Sequence, residues 1–152
     1  VSRKPESVFI TSVHKHLPKD LYRIKNNNPF AGGQPDCWYS GTKADLWVEY
    51  KFISRIPAAG VKAELSELQL AWLHDRHKEG RNVAVIVGCK GGGVILRDLA
   101  WENRMNPTDF NQRMQSRTAL ATWIQSETGA SNDQIRSRDI SDTRRASKSS
   151  GH

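Results

Sequence analysis

Cysteine is scarce. Cys37 and Cys89 are the only two in 152 residues, too few for a disulfide framework or a cysteine-rich zinc site, and they read as free thiols of a reducing compartment. No apolar run approaches the ~20 residues that span a bilayer. The N-terminal Val1-Ser2-Arg3-Lys4-Pro5-Glu6 carries charge with no apolar segment behind it, unlike a secretory signal. These absences point away from a membrane and toward the cytosol of a cell or of an infected host. No G-x-S-x-G elbow, and no cysteine with a matching His and Asn, suggests nucleophilic catalysis. Gly91-Gly92-Gly93 lacks the Gly-Lys-Ser/Thr and the following helix of a phosphate loop, so a hairpin turn is expected there.

What remains describes a globular chain. Its length suits one domain with an appendage and a sizeable core. Lys and Arg outnumber Asp and Glu by 23 to 16, for a formal net charge of +7 and a pI near 9.7. Such a charge fits a polyanionic partner, although solubility alone also accounts for it.

Residues 32–52 are the most informative stretch. Its second half alternates as a strand does: Ala44, Leu46, Val48, Tyr50 and Phe52 face a core, while Asp45, Trp47, Glu49 and Lys51 face the other way. Upstream, Pro35-Asp36 opens a short apolar run over residues 37–39, and Ser40-Gly41 supplies a turn. Paired as a hairpin, the two runs bring Asp36 beside Glu49 and Lys51. Two carboxylates that converge next to a lysine suit a hard cation with a proton-handling group beside it. Asp45, on the Glu49 face, is the rival ligand and equally suits a strand-entry position.

Residues 5–17 read as a helix, with Pro5 in its first turn, Ser2 as candidate cap and Phe9, Ile10, Val13 and Leu17 as its apolar stripe. Glu6 lies on that stripe, either stabilised by the helix dipole or facing a partner. Strands are expected over residues 21–24, 36–39, 45–53, 82–88 and 94–96. Lys25 enters a polar loop, where it meets phosphate or solvent. The irregular residues 54–62 hold Arg55 and Lys62 near the hairpin, as substrate contacts or as a connector. A helix over 66–78 starts with Ser66-x-x-Gln69, a capping box, and a Gln69 folded onto the cap is expected to lie out of reach of a site. His74 and His77 read as a solvated pair. A helical turn within 98–103 precedes one helix over 107–126, capped by Asn106 or Thr108. Residues 129–152 read as a disordered basic tail.

Gly33-Gln34-Pro35-Asp36, Glu49-Tyr50-Lys51 and Leu65-Ser66-Glu67-Leu68-Gln69 together resemble the PD-(D/E)xK nuclease superfamily, closest to its VRR-NUC branch, over residues 6–96. The resemblance implies an α/β fold with a restriction-endonuclease-like core, a central mixed β-sheet flanked by helices. It divides the chain into a nuclease core (1–100), a helical extension (101–128) and the tail (129–152). It implies a metal-dependent endodeoxyribonuclease that hydrolyses phosphodiester bonds, structure-specific for Holliday junctions or other branched DNA. A stand-alone nuclease of this kind suits a phage or mobile element and the cytoplasm of a bacterial or phage-infected cell. Asp36 and Glu49, helped by the Tyr50 backbone carbonyl, would hold Mg²⁺ or Mn²⁺. Lys51 would orient or deprotonate the attacking water. Glu6 would reach the ion through water or serve a second ion, Gln69 would position Lys51 or a phosphate, and Lys25, Arg55 and Lys62 would contact DNA. The rivals are a noncatalytic nucleic-acid-binding module and an inactive protein of the nuclease fold. The twofold character of a junction favours a homodimer, with Trp101, Phe110, Met114 and Trp123 as its contact; the same side chains equally suit covering the sheet of a monomer. Trp38 and Trp47 fall near the site face.

Overall fold

The computed structural model describes residues 4–26 and 32–129. Ser2, the loop residues 27–31 and the tail from residue 130 lie outside the described residues. Five strands form one sheet in the order β1 (Tyr22–Lys25), β2 (Cys37–Ser40), β3 (Asp45–Phe52), β4 (Val83–Cys89) and β5 (Gly92–Leu96). β3 and β4 run parallel and the other neighbours antiparallel. A parallel pair needs a crossover, and α2 (Glu67–Lys78) lies on it. The fold is therefore the α/β class expected, a mixed sheet flanked by helices.

Both faces of the sheet are cores. Leu46, Val48 and Tyr50 of β3 pack with Ile86 of β4 beneath α1 (Pro5–His14) and α4 (Arg117–Thr128), which supply Phe9, Ile10, Val13, Leu120 and Ile124. On the opposite face Val83, Val85 and Val87 of β4 pack with Leu73 of α2, Trp101 of the 3₁₀ turn Ala100–Glu102, and Phe110 of α3 (Pro107–Arg113). Each fully buried aliphatic side chain of this kind contributes roughly 1.5–3 kcal/mol. The side of β3 that alternation made polar thus faces a second core, and Glu49 on it is only 2% exposed.

Gly88 lets α1 sit on the sheet, because a Cβ there would lie 2.6 Å from the Phe9 ring. At the start of α1 the cap position falls on Lys4, whose side chain makes no capping bond. The helix ends at His14, short of residue 17. His16 and Leu17 continue as a tighter turn, their amides bonded to the Val13 and His14 carbonyls.

Three expectations need correction. The glycine triplet is more than a turn: β5 begins at Gly92, two residues earlier than expected, and Gly93 exchanges both backbone bonds with Gln115, at 2.9 and 2.8 Å. A Cβ at Gly92, whose φ is +147°, would sit 2.0 Å from the Gln115 carbonyl oxygen. That docking splits the helix expected over 107–126. The chain leaves helical geometry at Met114, pairs Gln115 with Gly93, and restarts at Ser116, whose hydroxyl accepts the Ala119 amide. Asn106, not Thr108, caps α3. Finally, Trp101 and Phe110 are 0% and 1% exposed, and Met114 and Trp123 pack against the two cores. These side chains cover the sheet of their own chain, so Trp101 and Phe110 are not free for a dimer contact. Cys37 and Cys89 are both free thiols, as expected, and buried.

Candidate active site

The hairpin of β2 and β3 brings Asp36 beside the strand that carries Glu49 and Lys51, as its spacing predicts. Pairing ends at Cys37 opposite Val48, and Asp36 stands just beyond. On the other side of β3, the Trp47 amide donates to Asn82 and the Ile53 amide to Gly88. Odd-numbered peptides of β3 therefore face β4, and alternation turns those of Tyr50 toward the edge where β2 has stopped. There the Tyr50 amide donates to Asp36 Oδ2 at 2.8 Å. The carboxylate replaces a missing strand partner and is held beside the chain that carries Glu49 and Lys51.

Gln69 reaches this group from the first turn of α2. Its Nε2 donates to Glu49 Oε1 at 3.1 Å, while its Oε1 accepts from Lys51 Nζ at 3.3 Å and from the Ser66 amide at 3.0 Å. The capping box is present in full, so the conflict expected between capping and reaching the site does not arise: one carbonyl oxygen serves both, and the amide nitrogen is left for Glu49. Lys51 Nζ lies 3.6 Å from Glu49 Oε1. Glu49 Oε2 is buried without a hydrogen-bond partner.

That setting alters proton affinity. Burial, then the negative charge of Asp36, push the Glu49 carboxyl up to about 8, against the opposing pull of Lys51. Glu6, on the first turn of α1, is half-buried and also raised, by burial first and Asp36 second; Lys51, Lys4 and Lys25 act in the opposite direction. Glu6 lines the same cleft as Lys51, and the charges of Asp36, Lys51 and Lys25 act on it. Asp45, the rival ligand, is exposed at the entry to β3, where it accepts the Ser40 hydroxyl at 2.7 Å.

A cleft of about 1030 Å³ adjoins the group. Glu6 and Lys51 line it, with Lys62, Glu64, Glu102 and Arg104 supplying further charge of both signs. Asp36 and Glu49 do not line it; Lys51, paired with Glu49, and Glu6 connect the cleft to the two carboxylates. Arg55 is exposed in the bend after β3 and does not line the cleft either. Arg104 had no signal in the sequence. It arrives because Val61 and Met105 exchange backbone bonds, both at 2.8 Å, and its own Nη1 donates to the Gly60 carbonyl. A second unforeseen feature lies beneath β3, where His14 Nε2, the Tyr39 hydroxyl and the Tyr50 hydroxyl form a chain with 2.7 Å links. Burial, then Arg23 and Lys25, lower His14 to about 4. Of the pair expected to be solvated, His74 is exposed, its Nδ1 3.3 Å from Glu102, whereas His77 is partly buried and packs edge-on to Trp101.

Among the described residues no three His, Cys, Asp or Glu side chains gather into a group able to hold a metal. The donors available to an ion are Asp36, Glu49 and a backbone carbonyl. They fit one: these are hard oxygen ligands, Glu49 Oε2 lacks a partner, and Mg²⁺ commonly takes only one or two protein carboxylates. No helix among the described residues is long and apolar enough to cross a membrane.

No protein-family model matches the chain, and no curated protein matches it by sequence. Among solved structures it is similar to Hjc from Archaeoglobus fulgidus, a Holliday junction resolvase of an archaeal hyperthermophile, at 13% identity and a TM-score of 0.46 over 76% of this chain and 99% of that one. The likeness is too distant to carry residue roles across, and the VRR-NUC branch gains no support from it.

Proposed function

We propose that this chain hydrolyses phosphodiester bonds of DNA in a reaction that requires Mg²⁺ or Mn²⁺, acting as an endonuclease of the PD-(D/E)xK type. The observation that carries this reading is Glu49: a buried carboxylate with one unpaired oxygen, set against Asp36 and bridged to Lys51 by Gln69. Ionising the buried Glu49 beside a partly buried Asp36 is costly without a cation. Asp36, Glu49 and the Tyr50 carbonyl would hold the ion, which when bound polarises a phosphate and acidifies water. Lys51, partly exposed at the cleft wall, orients the attacking water, takes its proton or balances charge on the phosphate. Gln69 fixes Lys51 and Glu49 relative to each other. Glu6 adds negative charge toward the ion side, and Lys25, Arg55 and Lys62 contact the phosphate backbone. Branched DNA is the proposed preference, with a homodimer supplying paired cuts from a surface other than the buried Trp101 and Phe110.

Supercoiled plasmid and a four-way junction, each incubated with Mg²⁺, Mn²⁺ or EDTA, test the reading. Cleavage that EDTA stops is expected from the wild type, and none from folded Asp36→Ala or Glu49→Ala. Robust cutting by both variants would sink the mechanism. Tight binding without cleavage in either metal would instead favour a noncatalytic module, although its phosphates would meet uncompensated carboxylates at this site.

A further inference from the structure

The face of the sheet that carries Glu49 also carries a row of aromatic rings. Ile24, Trp38 and Trp47 stand opposite one another in register across β1, β2 and β3. Trp38 stacks on Trp47 with centroids 5.6 Å apart and planes 22° apart, Tyr22 packs edge-on to Trp38 at 5.5 Å, and Trp72 of α2 packs against Trp47 at 5.3 Å. The ladder runs from the sheet edge to α2, and its Trp47 lies two residues, about 7 Å, from Glu49 on one face of one strand. Its outer end is open: Tyr22 is 56% exposed and Ile24 45%. α4, which packs on β2, belongs to the opposite face, with Cys37 and Tyr39. Cations flank the ladder. Lys25 follows Ile24 at the end of β1 nearest Asp36, and the Arg76 guanidinium, itself paired with Glu79 at 2.8 Å, lies 5.8 Å from the Trp72 ring.

We infer that this ladder is a stacking platform for unpaired nucleobases of the DNA strand whose backbone enters the Asp36–Glu49–Lys51 site. The inference rests on the nuclease reading and sharpens its substrate to DNA with unpaired bases beside the cut. Ring faces take any base, and flanking cations follow the backbone, the combination by which proteins hold single strands. A second copy of the chain is the other occupant such a face admits. It fits poorly, because Tyr22 and Ile24 supply little exposed apolar surface for the apolar core of a stable interface, and a copy seated there would crowd the carboxylates.

The test uses the full chain with Tyr22→Ser, whose side chain is mostly exposed, and Trp38→Leu, which keeps apolar bulk. Binding of a single-stranded thymidine oligonucleotide is followed in EDTA by tryptophan fluorescence. Cutting is followed in Mg²⁺ on a duplex with a single-stranded flap and on the same duplex fully paired. Each variant is expected to bind the oligonucleotide about tenfold more weakly and to cut the flap slower by a similar factor, with cutting of the paired duplex unchanged. Unchanged oligonucleotide affinity in both variants, or equal losses on both duplexes, would overturn the platform. So would a wild-type dimer in sedimentation that Tyr22→Ser splits, which would give the face to a second copy. If the wild type cuts nothing in either metal yet binds the oligonucleotide and both variants lose that binding, the nuclease reading fails and the platform stands.

Discussion

Replacing Glu49 by Gln should make the metal-free protein more stable and abolish its response to a divalent cation. In the folded chain the Glu49 carboxyl is pushed from 4.5 up to about 8, by burial first and by Asp36 second. Between those values the folded state keeps a proton that the unfolded chain has released, so the contribution of Glu49 to stability falls as pH rises through the window and levels off above it. A carboxyl moved this far, and only 2% exposed, corresponds to a loss on the order of 3–5 kcal/mol between pH 4.5 and 8. Gln keeps the volume and an oxygen for Gln69 and Lys51, and has no proton to lose. Urea unfolding in EDTA at a series of pH values should therefore show the wild type losing stability relative to Glu49→Gln as pH rises from 4.5 to 8; the lowered His14 makes both curves rise with pH below about 6.5 and the raised Glu6 acts on both alike, so the difference between the curves isolates Glu49. Excess Mn²⁺ should restore the wild type at pH 8, by about 2.7 kcal/mol at a hundredfold excess over its dissociation constant, and leave the variant unmoved. Parallel pH profiles for the two proteins would refute the assignment of that buried proton to Glu49. A wild type indifferent to Mn²⁺ would refute the site as a cation site.

Two further outcomes follow from the same geometry. Gln69→Ala removes the bridge to Glu49 and Lys51 together with one half of the capping box, so it should cost about 1–2 kcal/mol in urea unfolding and lower kcat at least about tenfold with little change in KM; a variant that loses stability but keeps kcat would reduce Gln69 to a cap. Trp101→Ala should cost about 3–5 kcal/mol, whereas Trp101→Phe should cost much less, because the buried indole Nε1 has no hydrogen-bond partner to lose. Neither should change the sedimentation coefficient, and a shift in association would return this region to a dimer contact.

The sequence by itself determined which five segments are strands, to within one or two residues at their ends, and with them the hairpin and the meeting of Asp36 with Glu49 and Lys51. Alternation, a turn at Ser40-Gly41 and the α2 cap at Ser66 are local signals, and backbone geometry converts them directly into place. What the packing added depends on contacts between residues distant in the chain. Alternation set Glu49 on the face opposite the first core but could not show that this face is covered too; the burial of that face beneath α2, with Asp36 beside it, raises its proton affinity. Gln69 looked forced to choose between cap and site until the helix start was seen to lie within hydrogen-bond reach of Lys51. The pairing of Gln115 with Gly93, which breaks one expected helix into two, joins residues whose attraction leaves no periodic trace. Trp101 and Phe110, set apart from the core by their place after β5, are drawn into it because the sheet's far face has apolar surface to cover and those rings are what the chain brings there.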